Sequence, residues 1–213
     1  MNCFRTYARR VSANNSRTCW VLKCDIRKFF ASIDHSVLFE ILKKRIKDER
    51  TIELLVLVVG SFDSGVARVG LPLGNLTSQL LVNIYMHEFD QFATHELKTK
   101  YYIRCADDFV FLAESKVWLE GHLKRAAIFL QEKLRLELHP DKVSISTSAS
   151  GVDFLGWVHF PDHRVMRTRT KKRAFRRVRM AAGRKEVLQS YLGLFSHGNA
   201  HTIGAGIAMV ATE

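Results

Sequence analysis

Apolar and polar positions along this chain switch repeatedly between two periods, and the switches mark its elements. From Cys19 to Ile26 the residues are apolar, aromatic or β-branched with few breaks, as in a buried strand. Val37, Leu38, Ile41, Leu42 and Ile46 then recur at helical spacing, with Asp34 placed to cap that helix from two residues before Ser36. Thr51 to Val59 reads as a nearly continuous apolar helix, broken at Gly60 and followed by a loop holding Asp63, Gly65 and Gly70. Gly70, Pro72 and Gly74 form a tight loop whose backbone can approach a flat ligand. Asn75 or Thr77 then caps a long helix with Leu80, Leu81, Ile84, Phe89 and Phe92 on its apolar side.

Two apolar runs, Tyr101 to Cys105 and Phe109 to Leu112, flank an Ala-Asp-Asp tip and predict a β-hairpin. Lys116 to Leu134 is an amphipathic helix with Val117, Leu119, Leu123, Ala127 and Leu130 inward. A turn at His139, Pro140 and Asp141 feeds a further strand, and GVDFLGWVHF with the segment around Val165 makes a small second sheet. A basic helix is predicted from about Thr170 to Val187, packed by a narrow stripe of Ala174, Phe175, Val178 and Leu188. At the N-terminus, Tyr7 to Val11 ends a helix and Ser12 to Ser16 is a polar turn. The last residues, IGAGIAMVATE, show no pattern. Helices interleaved with hairpins predict an α+β domain, an antiparallel sheet backed by helices.

Charge changes the picture. Lys and Arg number 33 against 21 acids, a net +12 with a pI near 9.8. Such an excess favours a polyanionic partner, and without an amphipathic anchor nucleic acid comes before a membrane. The charge is concentrated: His163 to Lys185 holds eleven Lys or Arg and no acid. Within it Arg169, Lys171, Lys172, Arg173, Arg176 and Arg177 are candidate phosphate contacts, the alternative being a solvated helix face. No apolar run reaches membrane-spanning length, and MNCFRTYARR lacks the apolar region of a secretory signal. Cys3, Cys19, Cys24 and Cys105 lack metal-finger spacing and are expected to be buried free thiols.

The candidate chemistry lies in three carboxylates. Asp107 and Asp108 are adjacent, so each raises the other's pKa unless cations intervene, and a divalent metal relieves that conflict. A solvated turn is the alternative for an isolated Asp-Asp pair. Asp25 ends a buried strand with no helix to cap, which makes it the candidate third acid. If its strand neighbours the hairpin, the three converge on a cluster able to hold two Mg²⁺ ions for in-line phosphoryl transfer.

Five stretches, in order, resemble the palm of reverse transcriptases. KCDIRKFFASIDH (23–35) is similar to the first catalytic motif and GLPLGNLTSQ (70–79) to the template-and-nucleotide motif. RCADDF (104–109) is similar to the Tyr-x-Asp-Asp hairpin, LHPDKVSI (138–145) to the Lys-bearing motif after it, and DFLGW (153–157) to the primer grip. The resemblance implies that Asp25 and Asp107 ligate both metals, Mg²⁺ or Mn²⁺, with Asp108 in support and the Ile26 carbonyl as a further ligand. It implies that Lys28 and Phe29 amides face the triphosphate, and that Phe30 is the gate against a ribose 2′-hydroxyl, a core Phe being the alternative. Leu73 and Gly74 adjoin the nucleotide. Lys142 is a candidate acid for the pyrophosphate, or else a solvated turn lysine. Phe154, Leu155 and Gly156 position the primer end.

Leu73 before Gly74, and Gln79 after Ser78, depart from the usual Gln and Ser-Pro and are similar to the reverse transcriptases of diversity-generating retroelements. That resemblance implies bacterial or phage-encoded, cytoplasmic, error-prone copying of an RNA template from a DNA primer with dNTPs, and a small basic accessory protein. Leu73→Gln is then expected to raise fidelity. The implied segments are a fingers remnant (1–17), a palm (18–160) and a basic partial thumb (161–213), with most of the fingers expected to be missing. Cys105 replaces the motif's Tyr, which predicts weaker nucleotide selection or rate. A retron or group II intron type, and a nucleic-acid-binding remnant without catalysis, are the alternatives.

Overall fold

The computed structural model describes residues 2–61, 67–181, 184–196, 198, 203, 206 and 207. Two compact units result, one from Trp20–Ile145 and the other from Met1–Cys19 with Ser146–Glu213. The expected palm segment 18–160 is thus shared between them.

From the first unit β1 (Trp20–Asp25), β2 (Tyr102–Cys105) and β3 (Asp108–Ala113), with β4 (Ser144–Thr147) running across that unit's boundary at Ile145, form a sheet of order β2-β3-β1-β4. The central strand β3 runs antiparallel to both β1 and β2. Period-2 alternation sends Leu22, Cys24, Phe109 and Phe111 to one face, where they join the buried core of the helices. Those helices are α2 (His35–Arg45), α3 (Glu49–Gly60), α4 (Leu76–Gln91) and α5 (Lys116–Leu134). Asp34 caps α2, its carboxylate accepting from the Ser36 and Val37 amides. Asn75 occupies the cap position of α4 without a side-chain bond.

Two helix faces differ from the sequence expectation. Leu80 on α4 is 60% exposed and Val117 on α5 is 76% exposed. The buried stripes are instead Ser78, Leu81, Val82, Tyr85, Met86 and Phe89 on α4, and Leu119, His122, Ala126, Leu130 and Leu134 on α5. Polar members explain both shifts. The Tyr85 hydroxyl donates to the Leu134 carbonyl at 2.7 Å, and His122 bonds the Leu97 carbonyl through Nε2 at 3.2 Å. A hydropathy stripe passes over such residues, although their polar atoms are satisfied once buried.

The second unit opens with α1 (Asn2–Val11) and a turn in which Ala13, Asn14 and Asn15 all have positive φ. Its sheet joins β5 (Val152–Phe154), β6 (Trp157–His159) and β7 (Arg164–Met166), antiparallel throughout. The single basic helix expected over 170–187 is two, α6 (Thr168–Met180) and α7 (Lys185–Phe195). Ala174, Val178 and Phe195 pack with Trp157 and Met166 as this unit's core. Asp63 and Gly65 of the expected loop, and most of IGAGIAMVATE, lie outside the described residues. Cys19 and Cys24 are buried free thiols, whereas Cys3 and Cys105 are exposed, contrary to expectation. No helix among the described residues is long and apolar enough to cross a membrane.

Candidate active site

Cross-strand register builds the site. Asp25, last in β1, stands opposite Asp108, first in β3. Directly opposed residues of an antiparallel pair project from the same face, so both carboxylates leave one side of the sheet. Lys23 shares that side, two residues back along β1. Between β2 and β3 only Ala106 and Asp107 remain, a two-residue turn in which Ala106 takes φ 55°. Such turns require the left-handed region, which costs a non-glycine roughly 1–2 kcal/mol. The Ile26 amide closes the turn from the side, donating to the Asp107 carbonyl at 3.2 Å.

An ion network steadies the same tip. Arg104 on β2 grips Asp90 of α4 with Nε and Nη2, at 2.8 and 2.7 Å. The Tyr102 hydroxyl donates to the same carboxylate at 2.8 Å. The remaining guanidinium nitrogen donates to the Ala106 carbonyl at 3.1 Å and to Asn83 Oδ1 at 3.3 Å. Sequence reasoning missed Arg104, Asp90 and Lys23. The available signals were the period-2 placement of Lys23 beside Asp25 and the spacing of Asn83 and Asp90 along one helix face.

Lys142 arrives on a single 3₁₀ turn, Pro140–Lys142. The His139 amide donates to the Asp25 carbonyl at 2.8 Å, fixing this turn against the end of β1, and His139 Nδ1 accepts from the Asp141 amide. From there the ammonium donates to both Asp25 carboxylate oxygens, at 2.9 and 3.1 Å. Half exposed yet ion-paired, it is more than a solvated turn lysine.

Burial holds the Asp107 and Asp108 carboxyls above the ordinary carboxylate range. For Asp107 the Asp25 charge adds to burial and Lys142 opposes it. For Asp108, Lys23 and Lys142 oppose burial and the charges of Asp107 and Asp25. Desolvation, more than the mutual repulsion anticipated from sequence, leads in both. Asp108 Oδ1 is buried with no hydrogen-bond partner.

The carboxylates therefore share one end of the two interior strands, and the Asp25 charge acts on both hairpin carboxyls. Among the described residues, however, no three His, Cys, Asp or Glu side chains form a group ready to hold a metal. Lys142 engages Asp25, and Asp107 stands in the turn while Asp108 opens β3. The donor set still fits a hard divalent cation: oxygens only, one buried oxygen orphaned, and two carboxyls destabilised as anions.

The other predicted positions divide into two groups. After β1, Lys28 takes φ 46° and starts the short 3₁₀ segment Phe29–Ser32. Phe29 is buried and Phe30 is partly buried against the core, the two rings meeting edge to face at 5.5 Å. The Phe30 carbonyl accepts from the Leu71 amide at 2.8 Å, and the Ile33 carbonyl from the Gly70 amide at 2.8 Å. These bonds tie the first motif to the glycine loop, in which Leu73 is 79% exposed and Gly74 has φ 90°. Ile26 is buried.

In the second unit, Leu155 (φ 52°) and Gly156 (φ 84°) are the two-residue turn between β5 and β6. Phe154 is buried beside Phe4, at 6.2 Å between ring centres, so its side chain is a core group and only the turn reaches the surface. That turn borders a cleft of about 750 Å³ lined also by Arg169, Lys172, Arg173 and Arg176 of α6. Arg177 is exposed on the same helix and Lys171 is half-buried.

With sheet order, twin aspartates and glycine loop in place, comparison defines the class. Residues 2–159 match the reverse transcriptase (RNA-dependent DNA polymerase) family, and the chain belongs to it. Protein YkfC of Escherichia coli (strain K12) is 29% identical over 194 residues, covering 73% of this chain and 49% of YkfC. The group II intron-encoded protein LtrA of Lactococcus lactis subsp. cremoris is 26% identical over 226 residues, covering 73% of this chain and 36% of LtrA. The chain thus spans about half the length of the first relative and about a third of the second. The fold is similar to that of telomerase from Candida tropicalis in complex with a TWJ fragment of telomeric RNA. There the TM-score is 0.60 at 12% identity, over 97% of this chain and 40% of the telomerase chain.

Proposed function

We propose that this chain carries the palm of an RNA-directed DNA polymerase. The observation that supports the reading most is the pairing of Asp25 with Asp108 beside a two-residue turn bearing Asp107. Members of the family generally use Mg²⁺. Asp25, Asp107 and Asp108 would hold it, or Mn²⁺, with the Ile26 carbonyl as the further candidate. Bound there, a divalent pair supplies charge stabilisation to the attacking and leaving oxygens of phosphoryl transfer.

The chain's own residues supply the rest. Backbone amides at Lys28 and Phe29 face the triphosphate, and Phe30 limits space at the ribose. Leu73 and Gly74 adjoin the templating pair. Lys142 holds a proton for the departing pyrophosphate. Leu155 and Gly156 seat the primer end, and the α6 cations Arg169, Lys171, Lys172, Arg173, Arg176 and Arg177 follow phosphates. The partners are an RNA template, a DNA primer and dNTPs, in a cytoplasmic setting.

Within the family, Leu73 and Gln79 favour the diversity-generating retroelement type, with error-prone copying and a small basic accessory protein. An exposed aliphatic side chain at 73 offers no hydrogen bond to police pairing geometry, so discrimination weakens. The similarity to LtrA favours a second reading, a group II intron-type enzyme. Primer extension on RNA with Mg²⁺ and dNTPs tests the polymerase reading. Activity lost in Asp107→Ala supports it, and no extension by the parent chain leaves a nucleic-acid-binding remnant. Error rates at template adenines that stay unchanged in Leu73→Gln count against the retroelement type.

A further inference from the structure

We propose that Lys142 is a resident counter-ion of Asp25 which an incoming divalent cation must displace, so that this lysine sets the metal affinity of the site. The inference rests on the polymerase reading for the role of Asp25 as a ligand and goes beyond it in assigning the lysine a second task.

Three observations carry it. The ammonium donates to both oxygens of Asp25, at 2.9 and 3.1 Å, so the carboxylate offers a metal no oxygen that the lysine does not already engage. The Asp25 side chain is 11% exposed while that of Lys142 is 51% exposed, so the lysine can swing into water whereas the carboxylate cannot. The contact is also unequal across the site. Lys142 gives its hydrogen bonds to Asp25, while Asp108 keeps a buried oxygen with no partner and both hairpin carboxyls are disfavoured as anions.

A lysine suits the task because its charge is a point on a flexible stem. The backbone of the 3₁₀ turn is bonded through the His139 amide to the Asp25 carbonyl, so the stem stays anchored near the site when the ammonium leaves. Exchange then needs no chain rearrangement: the cation takes the carboxylate oxygens and the ammonium is released. Once released, it is free to meet the phosphates of an incoming nucleotide, which couples metal loading to readiness of the proton donor.

The test is Mn²⁺ binding to the full chain by calorimetry, without nucleotide or nucleic acid, for the parent, Lys142→Met and Lys142→Arg. Removing one positive charge at hydrogen-bond distance is expected to tighten binding roughly tenfold in Lys142→Met. Lys142→Arg is expected to weaken it, because a planar guanidinium grips a carboxylate through two parallel bonds. A purely structural ion pair would make the two substitutions act in the same direction. Equal or weaker binding by Lys142→Met overturns the proposal. If Asp25→Asn still weakens Mn²⁺ binding in that case, the polymerase reading stands without it. Binding insensitive to Asp25→Asn in every variant overturns both.

Discussion

In the unit formed by Trp20–Ile145 the decisive charges are few, partly buried and set by strand register, whereas those of α6 are many, exposed and set by composition. Asp25 and Asp108 face each other because β1 and β3 pair in one register. Arg169, Lys172, Arg173 and Arg176 border a cleft because a helix with few apolar residues turns its remaining faces to solvent. The first arrangement is selective and expensive, since each half-buried carboxylate needs a counter-charge. The second is tolerant, because a screened surface cation costs little and contributes in proportion to the number of phosphates it meets. Position matters in one unit and number in the other.

That contrast can be broken at either end. The largest effect is expected from neutralising Arg169, Lys172, Arg173 and Arg176 together to Gln. Nucleic-acid affinity at about 0.1 M salt should fall by roughly a hundredfold or more, and the log–log salt slope by about 3. Fluorescence anisotropy across a salt series reads both. A slope unchanged from the parent would remove α6 from the phosphate contacts.

Next in size is Arg104→Ala. It leaves the Asp90 carboxylate, whose side chain is 28% exposed, with the Tyr102 hydroxyl but without its counter-charge, and withdraws a donor from the Ala106 carbonyl. A loss of about 2–3 kcal/mol is expected, roughly 5–10 °C in Tm by calorimetry. A change under about 1 °C would mean that the network does not support the hairpin.

The smallest is a gain. Asp107 and Asp108 have folded-state pKa values above their ordinary value, so the folded chain binds protons more tightly than the unfolded one. The penalty of holding them ionised is absent well below pH 3.8, grows as pH rises through the raised folded pKa, and persists above it. Asp108→Asn should therefore raise Tm at pH 7 by roughly 2–4 °C, about 1 kcal/mol, with the gain vanishing near pH 3.5. Destabilisation at neutral pH would show that the carboxylate already has a partner.

Much of the acidic site was legible because it depends on local rules. Two apolar runs around Ala-Asp-Asp dictate a hairpin, a lone acid ending a buried strand invites suspicion, and His-Pro-Asp-Lys spells a turn. The Arg104–Asp90 grip was not read, because the spacing of Asn83 and Asp90 marks a helix face but not the strand that packs against it. Nor was the surrounding of Phe154 legible: its motif says nothing of the contact with Phe4, 150 residues away in sequence, beside which the ring is buried. The division of the basic helix between Met180 and Lys185 had a signal in Gly183, which the charge pattern overshadowed.

The two-residue turn at Ala106 and Asp107 also constrains how the gene can change. Because the side-chain period of a strand is two, a one-codon insertion or deletion between Cys105 and Asp108 would turn every later side chain of β3 over. An insertion would move Asp108 in among the core aromatics, and a deletion would bring Phe109 into its place beside Asp25. Exchanges of one residue for another at the tip leave that frame intact. Variation in this hairpin should therefore be rich in substitutions and almost devoid of length changes.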